Sequence, residues 1–288
     1  MDKEQQIKIW GQAVPASLFK ERDREYLSQF NLDEPPPVEQ IWREMDKAWD
    51  SLGLSTIAQF SDQQLADFYC HPVWILNGFF SASDPQSCAH REAIAKAVLN
   101  LPVKNIADYG GGMGELAIRM SQKNPNYEIS IIEPYPTVIG RHRVEQYKNI
   151  SYVSRLSGPY DLVIAQDVLE HLEDPIGLVA QLSNATPVGG YLIFANCFYP
   201  VIKCHLPTTF HLSNTFNWVA KGAGLEYVGN VPNAEHANIF KKTGRVHGTS
   251  LRGREFWSKT LSFIRSTKIR ARLLVTQAQD LIRRAMES

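Results

Sequence analysis

No run in the 288 residues approaches the ~18 consecutive apolar positions that a membrane-spanning helix requires, so an integral helical membrane protein is excluded. The first twenty residues lead with Asp2, Lys3 and Glu4 and lack the apolar core of a secretory signal, so none is expected. Cysteine is scarce. Cys70, Cys88, Cys197 and Cys204 are too few and too scattered for a disulfide framework, and a reducing cytoplasm is the expected compartment. Internal repeats and low-complexity stretches are also missing. With 44% apolar and 21% charged residues, the composition excludes collagen-like, coiled-coil and wholly disordered chains.

Net charge is absent as well, 30 Lys+Arg standing against 30 Asp+Glu, but the balance is uneven along the chain. Residues 241–288 hold twelve basic residues against Glu255, Asp280 and Glu287, a surplus of nine, so residues 1–240 carry −9. An acidic body with a basic tail predicts docking of the tail on the body, self-association, or an anionic partner. Residues 1 to about 35 are polar, with a solvated helical face at Glu21–Glu25, and end at Pro35-Pro36-Pro37. Residues 38–100 are predicted helical, because Ile41, Trp42, Met45 and Trp49 fall on one helical stripe. Similar segments occur at 65–69 and 90–99, the latter opening after Ser87 or Cys88. From Asn105 short apolar runs (106–109, 128–133, 152–153, 160–165, 191–195) alternate with helical stretches. That alternation predicts an α/β fold with a parallel sheet. The runs 225–228 and 238–241 are close enough for an antiparallel ending.

The first strand enters Asp108-Tyr109-Gly110-Gly111-Gly112-Met113-Gly114. Glycines at 110, 112 and 114 let backbone N–H groups and the next helix N-terminus approach a ligand. The spacing is not the dinucleotide fingerprint, which needs a glycine where Glu115 stands. Nor is it a P-loop, since neither Lys nor Ser/Thr follows Gly114. Glu133 closes the second strand nineteen residues beyond Gly114, where an acid can accept both ribose hydroxyls of a nucleoside.

With these motifs the chain resembles the class I S-adenosylmethionine-dependent methyltransferases. Asp108-x-Gly110-x-Gly112-x-Gly114 is similar to their first motif, and Glu133 to their ribose-binding acid. Residues 160–172, with Gln166-Asp167-Val168-Leu169-Glu170-His171, resemble their fourth-strand block, and Pro187-Val188-Gly189-Gly190 the turn into their fifth strand. His211-Leu212-Ser213 and Trp218–Leu225 resemble the subgroup containing ubiquinone-pathway O-methyltransferases. The resemblance covers roughly 95–242. It implies a Rossmann-like, seven-stranded, mostly parallel sheet with helices on both faces. Together with the organisation read above, three regions are expected: an N-terminal helical cap or lid (1–94), an S-adenosylmethionine-binding core (95–243) and a basic helical tail (244–288). The implied cofactor residues are Asp108, Gly110, Gly112, Gly114, Glu133, Pro134, Gln166 and Asp167. One departure is visible: Val153-Ser154-Arg155-Leu156-Ser157-Gly158 lacks the acid that often meets the adenine amine.

Methyl transfer needs alignment, desolvation and removal of a proton from the acceptor. His171, after the fourth strand, and His211 are the candidate bases, imidazole being able to accept a proton at neutral pH. The segment 71–80 is either a lid over the cofactor or an ordinary packed helix, and 198–207 lies where the resemblance implies acceptor walls. Cys197, Cys204, His205 and His211 lack a tight C-x₂₋₄-C pair, so no metal is expected. The expected activity is O-methylation of a small-molecule or glycan-type acceptor. An RNA-directed methyltransferase, a nucleotide-cofactor oxidoreductase and a non-catalytic relative are the rivals. Against nucleic acid stand the acidic body and the missing Asn/Asp-Pro-Pro-Tyr/Phe block. For the tail, self-association and peripheral contact with an anionic inner membrane surface stay open.

Overall fold

A computed structural model describes residues 5–56, 59–265 and 267. The chain opens with a feature that the composition of its first 35 residues does not announce. Strands β1 (Gln6–Ile9) and β2 (Gln12–Pro15) form an antiparallel hairpin, with Ile9 opposite Gln12. Trp10 and Gly11 turn it at φ 46° and 86°, the two-residue geometry that matches strand twist. Ile9 is fully buried and the Trp10 ring meets Phe80 edge-on, so the hairpin is pinned by its ends.

Five helices follow: α1 (Glu21–Leu27), α2 (Val38–Ser51), α3 (Asp62–Tyr69), α4 (Val73–Ser83) and α5 (Pro85–Val98). The stripe read from α2 is the buried one, with Ile41, Met45 and Trp49 inside. Ser61 caps α3 through the Gln64 N–H, a reciprocal box with the Gln64 side chain. Asp84 caps α5 by accepting from the Ser87 N–H at 2.7 Å, so the helix starts at Pro85, ahead of the predicted 87–88. It runs across the expected division at 94/95 and buries Ile94, Ala95 and Val98 under the sheet.

The core alternates as predicted: β3 (Asn105–Tyr109), α6 (Glu115–Lys123), β4 (Glu128–Ile132), α7 (Val138–Val144), β5 (Ile150–Val153), β6 (Leu162–Gln166), α8 (Pro175–Asn184), β7 (Tyr191–Ala195), α9 (Phe216–Ala220), β8 (Leu225–Val231) and β9 (Ala234–Lys242). The sheet order is β5-β4-β3-β6-β7-β9-β8. All pairs are parallel except those of β9, which runs antiparallel to both its neighbours. This is the Rossmann-like, mostly parallel seven-stranded sheet expected from the sequence. Tyr160 and Asp161 precede β6 rather than belonging to it; the Asp161 carboxylate accepts from the Lys104 and Asn105 N–H groups. Apolar clusters cover both sheet faces, and a third joins the N-terminal helices to Met113, Ile139, Ile202, Cys204 and Leu206.

Residues 248–265 form a last helix, α10. The rest of the predicted basic tail, 266 and 268–288, lies outside the described residues. Among the described residues no helix is long and apolar enough to cross a membrane. Leu251, Glu255 and Ser258 bury one side of α10, and Arg252 pairs with Asp174 at 2.6 Å. A Cβ on Gly222 would lie 2.5 Å from the Leu251 Cα, so that glycine sets the approach of α10. Gly222→Ala should therefore lose about 1–3 kcal/mol in urea unfolding and make 248–265 more susceptible to limited proteolysis. Parental stability in the variant would show that the helix does not depend on this contact.

Candidate active site

The parallel register brings the carboxyl ends of four strands to one edge. Tyr109 lies opposite Ile132 and Ala165, and Gln166 opposite Ala195. Asp108 and the glycine loop, Glu133, Gln166-Asp167 and Asn196 are thereby brought to one line, the edge where open α/β sheets bind ligands.

Within the loop, Gly110 (φ 72°) continues the β3–β4 ladder by donating to the Ile132 carbonyl at 2.8 Å. A Cβ there would strike Val168 at 2.6 Å. Gly112 (φ 52°) is different: a Cβ would meet nothing within 4 Å, so the loop faces open space at this point. Its N–H donates to Glu133 Oε2 at 3.0 Å, while Glu133 Oε1 accepts from the Tyr135 N–H at 3.1 Å. Each oxygen keeps a further lone pair for a ligand hydroxyl. Burial raises the Glu133 pKa, and the two N–H bonds pull the other way. Gly114 caps α6 in the left-handed region. The Tyr152 hydroxyl on β5 donates to the Gly112 carbonyl at 2.7 Å. Sequence reading missed Tyr152, because a tyrosine on a short strand carries no signal of a long-range bond.

Asp108 is fully buried with Oδ2 unpartnered, and burial pushes it up to about 7 against the pull of Arg91. Pro134 is exposed in the turn after β4. Gln166 donates to the exposed Asp167 at 3.2 Å, and Asp167 holds φ 54°.

A second cluster adjoins this edge. Glu170 is completely buried; its Oε1 accepts from the Cys197 N–H at 2.8 Å and its Oε2 has no partner. Burial, then the Asp167 charge, lifts it to about 8. His171 Nδ1 bonds the Cys204 carbonyl at 3.1 Å and His205 Nδ1 the Tyr199 carbonyl at 2.9 Å, with the rings 4.9 Å apart. Burial, then His205, lowers His171 to about 3, so its ring stays neutral. The segment 197–206 thus folds back over Glu170 and His171. Cap and core also meet here. Trp74 approaches His171 with its ring centre 6.4 Å away, Tyr69 stacks on Tyr135 at 5.5 Å, and the Lys203 N–H donates to Asp46 at 2.7 Å. The segment 71–80 leads into helix α4, which packs against the glycine loop. Gly78 lies so close to Met113 of the glycine loop that a Cβ would overlap its sulfur. The Trp74 indole N–H and both amide atoms of Asn196 are buried without partners, like Glu170 Oε2. Donors and acceptors left open beside aromatic rings suit a polar, hydroxyl-bearing ligand.

His211 stands elsewhere. It is buried, its Nδ1 2.7 Å from Ser258 Oγ on α10, and its Nε2 is enclosed without a partner. Burial, then Lys259, lowers it to about 4. Of the residues weighed for a metal, only His205 falls in a ligand-like group: Glu170, His171 and His205 offer atoms within 4.8 Å of one another. Such a set could hold a divalent ion; the sequence spacing concealed it because Glu170 and His205 converge only through the fold-back.

The sequence model of a family described as a methyltransferase domain matches residues 86–242. The chain belongs to this family. The ubiquinone biosynthesis O-methyltransferase of Erwinia tasmaniensis is 26% identical over 173 residues, which are 57% of this chain and 65% of that relative. This chain therefore spans less than two thirds of that relative's length. The crystal structure of the CurJ carbon methyltransferase shares the fold with a TM-score of 0.52 at 13% identity, covering 81% of this chain and 73% of that one. An O-methyltransferase family protein from Burkholderia thailandensis does so with a TM-score of 0.51 at 11% identity, covering 76% of each.

In this methyltransferase domain the buried Asp108 generates a pH signature. Its carboxyl rises from 3.8 to about 7 on folding, so the folded chain holds the proton more tightly than the unfolded one. The associated stability is complete below pH 4 and is lost as pH rises through 7. Asp108→Asn should unfold at higher urea than the parent at pH 8, by about 1–4 kcal/mol, with the gap closing below pH 4. A pH-independent difference would contradict the assignment.

Proposed function

We propose that the chain is an S-adenosylmethionine-dependent methyltransferase acting on a hydroxyl of a small-molecule or glycan-type acceptor. The observation carrying this reading is the contact between the Gly112 N–H and Glu133, beside open space over the loop. The residues fit the cofactor. Glu133 would hold the ribose hydroxyls with its remaining lone pairs, Gly110–Gly114 would let the nucleoside approach, and Asp108 Oδ2 is left to meet a donor. The stretch 153–158, where the family often places an acid, has none, and Tyr152 just before it holds the loop. When bound, S-adenosylmethionine supplies a methyl group on a sulfonium, open to in-line displacement.

The acceptor is assigned to the side of the edge where Trp74, Tyr69, Glu170, His171 and Asn196 gather. Trp74 and Tyr69 give aromatic faces, and the unpartnered groups of Trp74, Asn196 and Glu170 give hydrogen bonds to hydroxyls. A proton must leave the acceptor oxygen as the new bond forms. The Cys204 carbonyl accepts from His171 Nδ1–H, which leaves Nε2 with its lone pair. An imidazole lowered to about 3 is a weak base, but it is always unprotonated at neutral pH. An oxygen being alkylated is a strong acid, so a weak, correctly placed base suffices. His211, enclosed beside Ser258, is less suited to that role.

Calorimetry should show binding of S-adenosylmethionine and its demethylated product but not of NAD, and Glu133→Ala should weaken it by about 1–3 kcal/mol. Labelled methyl from S-adenosylmethionine should pass to sugar or phenol hydroxyls in an acceptor panel. Binding of NAD alone would favour the oxidoreductase; cofactor binding without transfer to any class would favour a non-catalytic relative.

For the base, His171→Ala should lower turnover roughly 10²–10⁴-fold while cofactor affinity stays within twofold. The parent's pH–rate profile should carry no ionisation near 6.5 that the residual activity of the variant lacks, because Asp108 at about 7 and Glu170 at about 8 are common to both. Near-normal turnover in the variant would leave alignment alone as the mechanism.

A further inference from the structure

Helix α10 buries a narrow side and turns a wide apolar one outward. With about 100° per residue, Phe256, Ile264, Trp257 and Leu261 fall within an arc of about 140°. They are 64%, 44%, 57% and 53% exposed. Leu251, Ser258 and Glu255 lie on the opposite side, where the helix meets the body. Ser258 Oγ donates to the His211 carbonyl at 3.1 Å and stands 2.5 Å from Thr215 Oγ1, so the orientation is fixed. Between the two faces run two basic rims. Arg254 and Arg265 flank one edge, Lys259 and Arg252 the other. Arg254 lies over the Trp218 ring at 5.0 Å, adding a 40% exposed indole beside the patch. Lys259 and Arg252 share the buried Glu255, and Arg252 also reaches Asp174. The described helix keeps a positive surplus after these pairs, and the sequence that continues it adds Lys268, Arg270, Arg272, Arg283 and Arg284 against Asp280 and Glu287.

We propose that this face docks on an anionic lipid surface. An outward apolar arc between basic rims is the pattern of a helix lying in a bilayer interface, rings in the acyl boundary and cations at the headgroups. Charge decides between this occupant and a second copy. The Lys259 and Arg252 edge is already balanced by Glu255 and Asp174, but a second copy brings no acid to the Arg254 and Arg265 edge, whereas an anionic surface complements it. The inference stands independently of the methyl-transfer reading, because its test measures no activity.

The full chain is floated with vesicles of phosphatidylcholine and phosphatidylglycerol mixed about three to one, and with phosphatidylcholine alone. The expected result is binding to the anionic vesicles, reduced at high salt, and little binding to the neutral ones. Changing Trp257, Leu261 and Ile264 together to Ser, all on the exposed side, should weaken the partition by at least about tenfold. Circular dichroism and urea unfolding of that variant should match the parent. Arg265→Glu, at an exposed position on the same edge, should weaken binding to anionic vesicles without affecting the fold. Absence of flotation, or equal flotation of parent and triple variant, would overturn the proposal. So would a concentration-dependent dimer in sedimentation that the triple variant abolishes while neither protein floats; the face would then join two copies.

Discussion

The parallel pairing of β3 with β4 and β6 is the constraint on which the site depends. In-register strands end together, and their ends expose backbone groups that the next residues must satisfy. Gly110 extends the ladder to Ile132, and Asp167 does the same toward Ala195. The chain then leaves the sheet in tight turns at positive φ, at Gly110, Gly112 and Asp167. The Gly112–Glu133 contact is a direct product of this geometry.

The same edge concentrates carboxyl groups under low solvent exposure. Asp108, Glu133 and Glu170 all titrate above their ordinary range, with burial the first cause in each. Two of them keep an oxygen without a partner. Buried, unsatisfied carboxyls oppose folding, and their clustering at one edge is the pattern on which the proposed ligand site rests. His171 follows the same rule with opposite sign, burial keeping its ring neutral.

The regions outside the sheet serve this edge unequally. The N-terminal hairpin and helices share one apolar cluster with Met113 of the glycine loop and with Ile202, Cys204 and Leu206 of the fold-back. The N-terminal helices, the glycine loop and the 197–206 segment therefore share one continuous apolar core. Helix α10 instead attaches on the side of Gly222, Asp174 and His211. Its contacts are a close backbone approach, one hydroxyl cluster and ion pairs, leaving its largest side chains outside.

The sequence by itself determined the alternation of strands and helices, the glycine loop, Glu133 and the antiparallel ending. These are local patterns: hydrophobic period, turn glycines and an acid at a strand end act within a few residues of themselves. It did not disclose the hairpin at 6–15, whose alternation of Ile7 and Ile9 is too short to mark a strand and whose turn is Trp-Gly. The role of Tyr152, the meeting of Glu170 with His205, and the enclosure of His211 by Ser258 also needed the tertiary structure. Each joins residues tens of positions apart, and such pairs are set by how packed elements stack, for which no local periodicity exists. The basic tail shows both halves. Its composition was legible as charge and apolar residues, but only the docking of Leu251, Glu255 and Ser258 decided which side of the helix faces outward, because burying one stripe fixes the direction of every other.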